Sequence, residues 1–229
     1  MSGGLTSVVL PVHDQAGHIR TVVSEHVAAL ARSGIDWELL LVPNACRDGS
    51  DEICAALAAE HPGIRSVALE QGGWGRAVRR GLREARGDLL CYTNSARTTA
   101  EDLMLLLLYA RTFPGVVVKA NRKIREHWTR RIGSLLYNIE CRTLFDLSSW
   151  DVNGTPKVFP RAFRDLLTLT RDDDMIDAEF CWLCRRAGHP MIEVPIFSTR
   201  RHGGKSTTSL RSAVKMYVGA YRMRRAVAA

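Results

Sequence analysis

Asn94, Ser95, Ala96 and Arg97 form a polar turn directly after the apolar run Leu89 to Thr93, and a helix opens just beyond it, near Glu101 and Asp102. Their types limit the chemistry available. An amide and a methyl do not replace the hard anionic oxygens that magnesium or manganese requires, so no metal ligand is assigned and either ion is disfavoured as a cofactor. Arg97 is permanently charged and its planar fork fits phosphate oxygens. A guanidinium here suits charge stabilisation on a bound phosphate group.

Other residues offer related chemistry. Arg130 and Ser134 are four apart, so they share a helix face, and are read either as a phosphate-binding pair or as a solvated arginine beside a small packing residue. Arg200, Arg201, Lys205 and Ser206 form a basic run that is read either as solvated surface or as a phosphate-contacting loop. Asp151, Asp177 and Asp102 are candidate general bases should the acceptor be a hydroxyl; a phosphate acceptor, already an anion, needs none. Asp177 and Glu179 fall on opposite sides of a helix start, so only one can face a common crevice. Asp48 is read either as a ligand contact or as an Asx-type turn bond before Gly49. Gly72, Gly73 and Gly75 permit a close backbone approach, with Trp74 between them read as exposed or lidding and without chemistry. Asp172 to Asp174 read as a solvated loop. Cys181 and Cys184, with no second pair, read as core packing rather than zinc ligands. The seven histidines have no ligand spacing, and His13 alone is placed to see a crevice.

The elements that position these residues alternate. Ser7–Val12 reads as a strand, followed by Ile19, Val22, Val23, Val27 and Leu30 at helical spacing. Strand Glu38–Val42 leads to helix Asp51–Ala59 with Ser50 as its N-cap. Strand Arg65–Leu69, helix Arg76–Arg86, strand Leu89–Thr93, helix Leu103–Arg111 and strand Val116–Lys119 follow. This predicts a mostly parallel sheet flanked by helices, an α/β fold. Turns at 11–15, 43–50, 71–76 and 93–98 then converge beyond the carboxyl ends of the strands. The second half is less regular: helix Ile132–Phe145, a loop over 151–157, helix Asp177–Ala187, strand Ile192–Ile196, a basic segment 198–208 and a basic last helix over about 210–226.

The 229 residues fit one domain. The longest apolar run, Leu103 to Ala110, is far short of the ~20 residues that span a bilayer, and the first residues carry no signal-peptide pattern. Six scattered cysteines suit a reducing cytoplasm, and abundant alanine and arginine hint at a bacterial source. Residues 1–114 carry a net charge of −2 and residues 115–229 a net of +10, together the +8 of the chain. A basic half has either an anionic partner or simply a solvated surface. Nucleic acid is set aside, because no aromatic side chains interleave with the run at 198–205.

Read together, these strings resemble the inverting family 2 glycosyltransferases of GT-A fold, in the branch similar to dolichyl-phosphate mannose synthase. Ser7-Val8-Val9-Leu10-Pro11-Val12 resembles the family's opening strand, with His13-Asp14-Gln15 at its end, and Arg47-Asp48-Gly49-Ser50 resembles the turn after the second strand. Pro43-Asn44 stands where nucleotide-contacting aspartates are usual. Gly72-Gly73-Trp74-Gly75-Arg76-Ala77 resembles the turn before the third helix, and Arg86-Gly87-Asp88 the lead into the metal-site strand. Asn94 and Ala96 fall where the family carries its paired aspartates, so the D-x-D motif is degenerate.

The resemblance implies a nucleotide-sugar half (1–114) and an acceptor half (115–229). Donor contacts would come from Pro11, His13, Gln15, Asn44, Asp48, Gly75, Asn94, Ser95 and Ala96. Arg122, Arg130, Ser134, Arg201, Lys205 and Ser206 would hold an anionic, polyprenyl-phosphate-like acceptor. Arg97, Asp151 and Asp177 are the catalytic candidates. The implied activity is metal-independent transfer from a nucleoside-diphosphate sugar, in the cytoplasm with peripheral contact at the inner membrane surface. The alternative is a non-catalytic descendant that only binds a nucleotide sugar or a partner.

Overall fold

The computed structural model describes residues 4–123, 128–197 and 210–228. Its first half alternates β1 (Thr6–Val12), α1 (Ile19–Arg32), β2 (Trp37–Pro43), α2 (Ser50–Glu60), β3 (Ile64–Ser66), α3 (Trp74–Glu84), β4 (Leu89–Tyr92) and α4 (Ala100–Thr112). The second half adds β5 (Val117–Arg122), α5 (Trp128–Phe145), β6 (Lys157–Pro160), α6 (Ile176–Ala187), β7 (Met191–Ile196) and α7 (Leu210–Ala228). The strands form one sheet in the order β3-β2-β1-β4-β6-β5-β7. Only β6 runs against its neighbours, β4 and β5.

Strand period two divides the core. Val8, Leu10, Leu39, Leu41 and Cys91 point to one face, packed by α1, α2 and α4 through Ile19, Val23, Leu57, Leu103 and Leu107. Val9, Leu40, Val42, Leu90 and Tyr92 point to the other, covered by α3, α5, α6 and α7. Both faces are covered, which is why β1 and β2 read as continuous apolar runs. Truncating one such leucine to alanine costs about 2–5 kcal/mol.

The α/β expectation holds, with corrections. Ser50 is not the N-cap of α2: the helix begins at Ser50, Gly49 occupies the cap in a left-handed conformation, and the Asp48 carboxylate accepts from the Ser50 amide at 3.1 Å. Strand β6 falls where sequence periodicity marked only the end of a loop. Four residues broken by a lysine carry too little pattern to announce a strand.

Candidate active site

Because β6 is antiparallel, its first residue lies at the end of β4 and beside the middle of β5. Lys157 pairs with Tyr92 on one side and Lys119 on the other. Both lysines are fully buried, and a buried lysine requires a counter-charge. Lys157 finds Asp177, 4% exposed and in the first turn of α6, where the helix dipole favours an anion. The same carboxylate accepts from Tyr92 Oη at 2.9 Å and from Trp74 Nε1 at 3.1 Å. Burial, reinforced by the Asp177 charge, pushes the Tyr92 phenol well above its ordinary range, so it stays a proton donor. Asp177, a candidate base from sequence, is therefore enclosed by three donors, and Trp74, read as exposed or lidding, is half-buried against it.

Lys119 lies beside Glu193, 2.8 Å from Oε1, and 3.0 Å from Ser149 Oγ. Burial pushes the Glu193 carboxyl up, but the Lys119 charge and donors from Lys119, Trp150 and Ser149 outweigh it and hold the group below its usual range. Glu193 also accepts from Asn121 Nδ2 at 3.2 Å. The next residue of β5, Arg122, forks onto Asp151: Nε to Oδ2 at 2.7 Å and Nη2 to Oδ1 at 2.8 Å. The predicted acceptor arginine and the predicted base therefore neutralise each other. Glu179 points elsewhere, accepting from the Thr170 and Arg171 amides at 2.9–3.0 Å, as its helical position required.

On the donor side, many predicted polar contacts are spent within the chain. Asn94 Oδ1 accepts from the Ala96 amide at 2.9 Å, and Ser95 Oγ donates to the Pro11 carbonyl at 2.8 Å. Ala96 is buried. Asn44 donates to the Val12 carbonyl at 2.7 Å and accepts from the Gly73 amide at 3.1 Å. Asp48 makes the Asx-type bond to Ser50 and also accepts from the Ala16 amide at 2.8 Å. His13 Nδ1 lies 2.7 Å from the Asn44 carbonyl oxygen. Gln15 is buried, its amide donating to Ser50 Oγ at 2.8 Å. Half-buried Arg97 follows in the same turn as Asn94. Residues 94 to 97 offer no carboxylate, so a divalent ion held by paired aspartates does not fit them. Asp102, half-buried in α4, has its carboxyl pushed up by burial, partly countered by bonds to Thr99.

At two of its glycines the glycine-rich turn is approached by the chain's own backbone. A Cβ on Gly75 would stand 2.4 Å from the Arg171 carbonyl oxygen, and one on Gly73 2.5 Å from that of Asp172. Asp172 is also not free in solvent: its carboxylate holds Arg76 at 2.9 Å and Arg79 at 2.5 Å, while Asp173 and Asp174 are exposed. Cys181 and Cys184 are buried in the core as read. Ser134 is half-buried on α5. The side chain of Arg130, and all of Arg201, Lys205 and Ser206, lie outside the described residues.

Sequence reasoning missed Lys157, Tyr92, Trp74, Lys119 and Glu193. The signal was available for the lysines: a lysine inside an apolar strand is rarely buried without a partner, and both stand in such runs.

A family model described as glycosyl transferase family 2 matches residues 7–187. An undecaprenyl-phosphate 4-deoxy-4-formamido-L-arabinose transferase from Aeromonas hydrophila is 28% identical over 137 residues, covering 58% of this chain and 42% of that protein. A dolichyl-phosphate beta-glucosyltransferase from Trichomonas vaginalis is 29% identical over 103 residues, 42% of this chain and 31% of its own length. The chain thus spans under half of these relatives. Glucosyl-3-phosphoglycerate synthase from Mycobacterium tuberculosis, solved with Mn2+, UDP and phosphoglyceric acid, superposes with a TM-score of 0.74 at 20% identity, covering 97% of this chain and 78% of that one. At that identity the likeness establishes the GT-A fold alone.

Proposed function

The chain belongs to glycosyl transferase family 2, and from that premise we propose that it moves a sugar from a nucleoside-diphosphate donor to an anionic acceptor, inverting the anomeric centre without a divalent metal. The observation that carries this reading is the turn after β4, which has no carboxylate at 94–97 and places Arg97 beside Asn94. The step is an in-line displacement: the acceptor oxygen bonds to the anomeric carbon as its bond to the diphosphate oxygen breaks, and the electron pair leaves with the diphosphate. Arg97 stabilises that charge, while the site supplies alignment.

On the acceptor side, Arg122 forks onto Asp151 through Nε and Nη2, leaving its Nη1 edge as the approach for a phosphate. An acceptor phosphate needs no general base, which agrees with an Asp177 enclosed by Lys157, Tyr92 and Trp74. The names of the polyprenyl-phosphate relatives support a lipid-linked acceptor. So do the exposed apolar side chains of two packed helices, Leu135, Leu136 and Ile139 on α5 and Val218 and Tyr221 on α7. Exposed Arg222, Arg224 and Arg225 stand on α7 as well. No helix among the described residues is long and apolar enough to cross a membrane, so contact with a bilayer would be peripheral. Each arginine near an anionic surface contributes about 1 kcal/mol.

A second reading, a non-catalytic binding module, is favoured by the donor-side groups that bond within the chain, above all Asn44, Asn94 and Ser95. Transfer from a panel of nucleoside-diphosphate sugars to undecaprenyl phosphate in vesicles, with and without chelator, separates the two. Chelator-resistant turnover is expected, reduced roughly 100-fold or more in Arg97→Ala. Turnover that vanishes with chelator and returns with Mn2+ would overturn the metal-free mechanism. No turnover with any donor would favour the binding module.

A further inference from the structure

Outside the strand-end carboxylates and lysines, one other group of side chains among the described residues has the chemistry of a metal site. His13 and Asp14 follow β1 and Cys46 follows β2, and a ligating atom from each lies within 4.8 Å of the others. Thirty-two residues separate Cys46 from Asp14, so no sequence spacing announces the cluster. Parallel pairing of β1 with β2, with Val12 opposite Pro43, brings the two loops together.

The loops also orient the donors. His13 Nδ1 bonds to the Asn44 carbonyl oxygen at 2.7 Å, which puts the ring proton on Nδ1 and the lone pair on Nε2, the usual arrangement of a metal-binding histidine. Asp14 Oδ1 accepts from the Arg47 amide at 2.7 Å, and Oδ2 remains, 3.8 Å from His13 Nε2. Asp14 and Ala45 hold φ of 49° and 47°, a left-handed conformation that disfavours residues other than glycine and persists where surroundings enforce it. Cys46 is half-buried with Sγ 3.6 Å from the Val12 carbonyl oxygen.

We propose that His13, Asp14 and Cys46 form a transition-metal site, with Zn2+ as its ion. Imidazole and thiolate select zinc over the hard ions that prefer all-oxygen sites. One thiolate and one carboxylate balance the double charge, and binding releases the Cys46 thiol proton to solvent as the sulfur–zinc bond forms. With bonds of about 2.0–2.3 Å, tetrahedral ligands stand roughly 3.3–3.7 Å apart. Closing the present separations requires contraction of about 1 Å, within reach of side-chain rotation. Three protein ligands leave a fourth position for water or an exogenous donor. The site ties together two loops at the carboxyl edge of the sheet.

The test uses metal alone with the full chain. Titration with Co2+ should saturate at about one equivalent and produce a thiolate-to-cobalt charge-transfer band, and Zn2+ should bleach it. Cys46→Ser should abolish the band, while His13→Gln and Asp14→Asn each weaken Zn2+ binding about 10–100-fold, with circular dichroism unchanged. The proposal fails if the band survives Cys46→Ser, if no equivalent binds, or if Asp14→Asn and His13→Gln bind Zn2+ as tightly as the parent. Should Cys46→Ser not fold, the last two variants decide alone.

Discussion

Arg122 and Asp151 meet side-on, in two parallel hydrogen bonds of 2.7 and 2.8 Å, and the Arg122 amide adds a third at 3.0 Å. Asp151 is almost fully buried, and the arginine side chain is 22% exposed. The pair ties the end of β5 to the loop before β6. Asp151→Asn keeps the shape and removes the charge, leaving a largely desolvated guanidinium with only the Asp177 charge to oppose its own. A loss of about 2–3 kcal/mol follows, below the ~3–5 kcal/mol of a fully buried pair because Arg122 keeps some solvent. At ~2–4 °C per kcal/mol for a chain of this size, the melting temperature should fall by roughly 4–12 °C. Arg122→Lys should lose most of the same stability, since an ammonium cannot fork. Thermal unfolding of both variants checks this, and a shift under about 1 °C would make the pair decorative.

Glu193 and Glu38 give the acid limb of stability its shape. Both carboxyls are pushed up by burial yet held below their usual range overall, Glu193 chiefly by Lys119 and Glu38 by Ser7, the Arg86 amide and Arg65. A depressed folded value means the unfolded chain binds protons first. The stability these groups contribute is therefore complete above the unfolded value of about 4.3, and it is lost as pH falls through the lower folded values. Denaturant midpoints should be level from neutral pH to about 5 and drop below about 4. Glu193→Gln should flatten that drop, and at neutral pH it should cost about 3–5 kcal/mol by leaving buried Lys119 without its counter-charge. An acid limb identical in parent and variant would remove Glu193 from this account.

The sheet was legible because its chemistry is local. Val8 to Val12 and Leu39 to Val42 are uninterrupted apolar runs, and only a strand covered on both faces reads that way. The candidate site was half legible. Asn94, Asp151 and Arg122 announced themselves by type and neighbourhood, but the partner each would choose was not encoded nearby. Asp177 bonds Trp74 across 103 positions and Tyr92 across 85, distances at which periodicity carries no information. The glycine-rich turn was legible only in part for a related reason. Gly75 does mark a close backbone approach, but residue type cannot say whether a ligand or the chain's own residues 171–173 make it.

Asp177 and Lys157 should behave as one unit. Asp177→Asn leaves a fully buried lysine with no counter-charge and should cost about 3–5 kcal/mol. Lys157→Met leaves the carboxylate with neutral donors only, Tyr92 and Trp74, and should also destabilise. Because the two share one bond, the double variant should be more stable than the sum of the single losses predicts, by about 1–3 kcal/mol in a double-mutant cycle. Additive losses from chemical denaturation would mean that the two charges are satisfied independently. Tyr92→Phe is the milder control and should cost about 1–2 kcal/mol for the lost hydrogen bond.

Gly75 separates packing from ligand binding. A methyl there would meet the Arg171 carbonyl oxygen at 2.4 Å and that of Asp173 at 2.7 Å, both backbone atoms, so α3 or the 171–173 segment must move. Overpacking of this kind costs about 1–3 kcal/mol. The displacement should also loosen the Asp172 pairs with Arg76 and Arg79. Gly75→Ala is therefore expected to unfold at lower denaturant with no nucleotide present. Amide hydrogen exchange should rise in the segment after the 3-10 turn Arg164–Leu167 and at the start of α3. A variant as stable as the parent that nonetheless loses affinity for nucleoside diphosphates would return the glycine to the donor pocket.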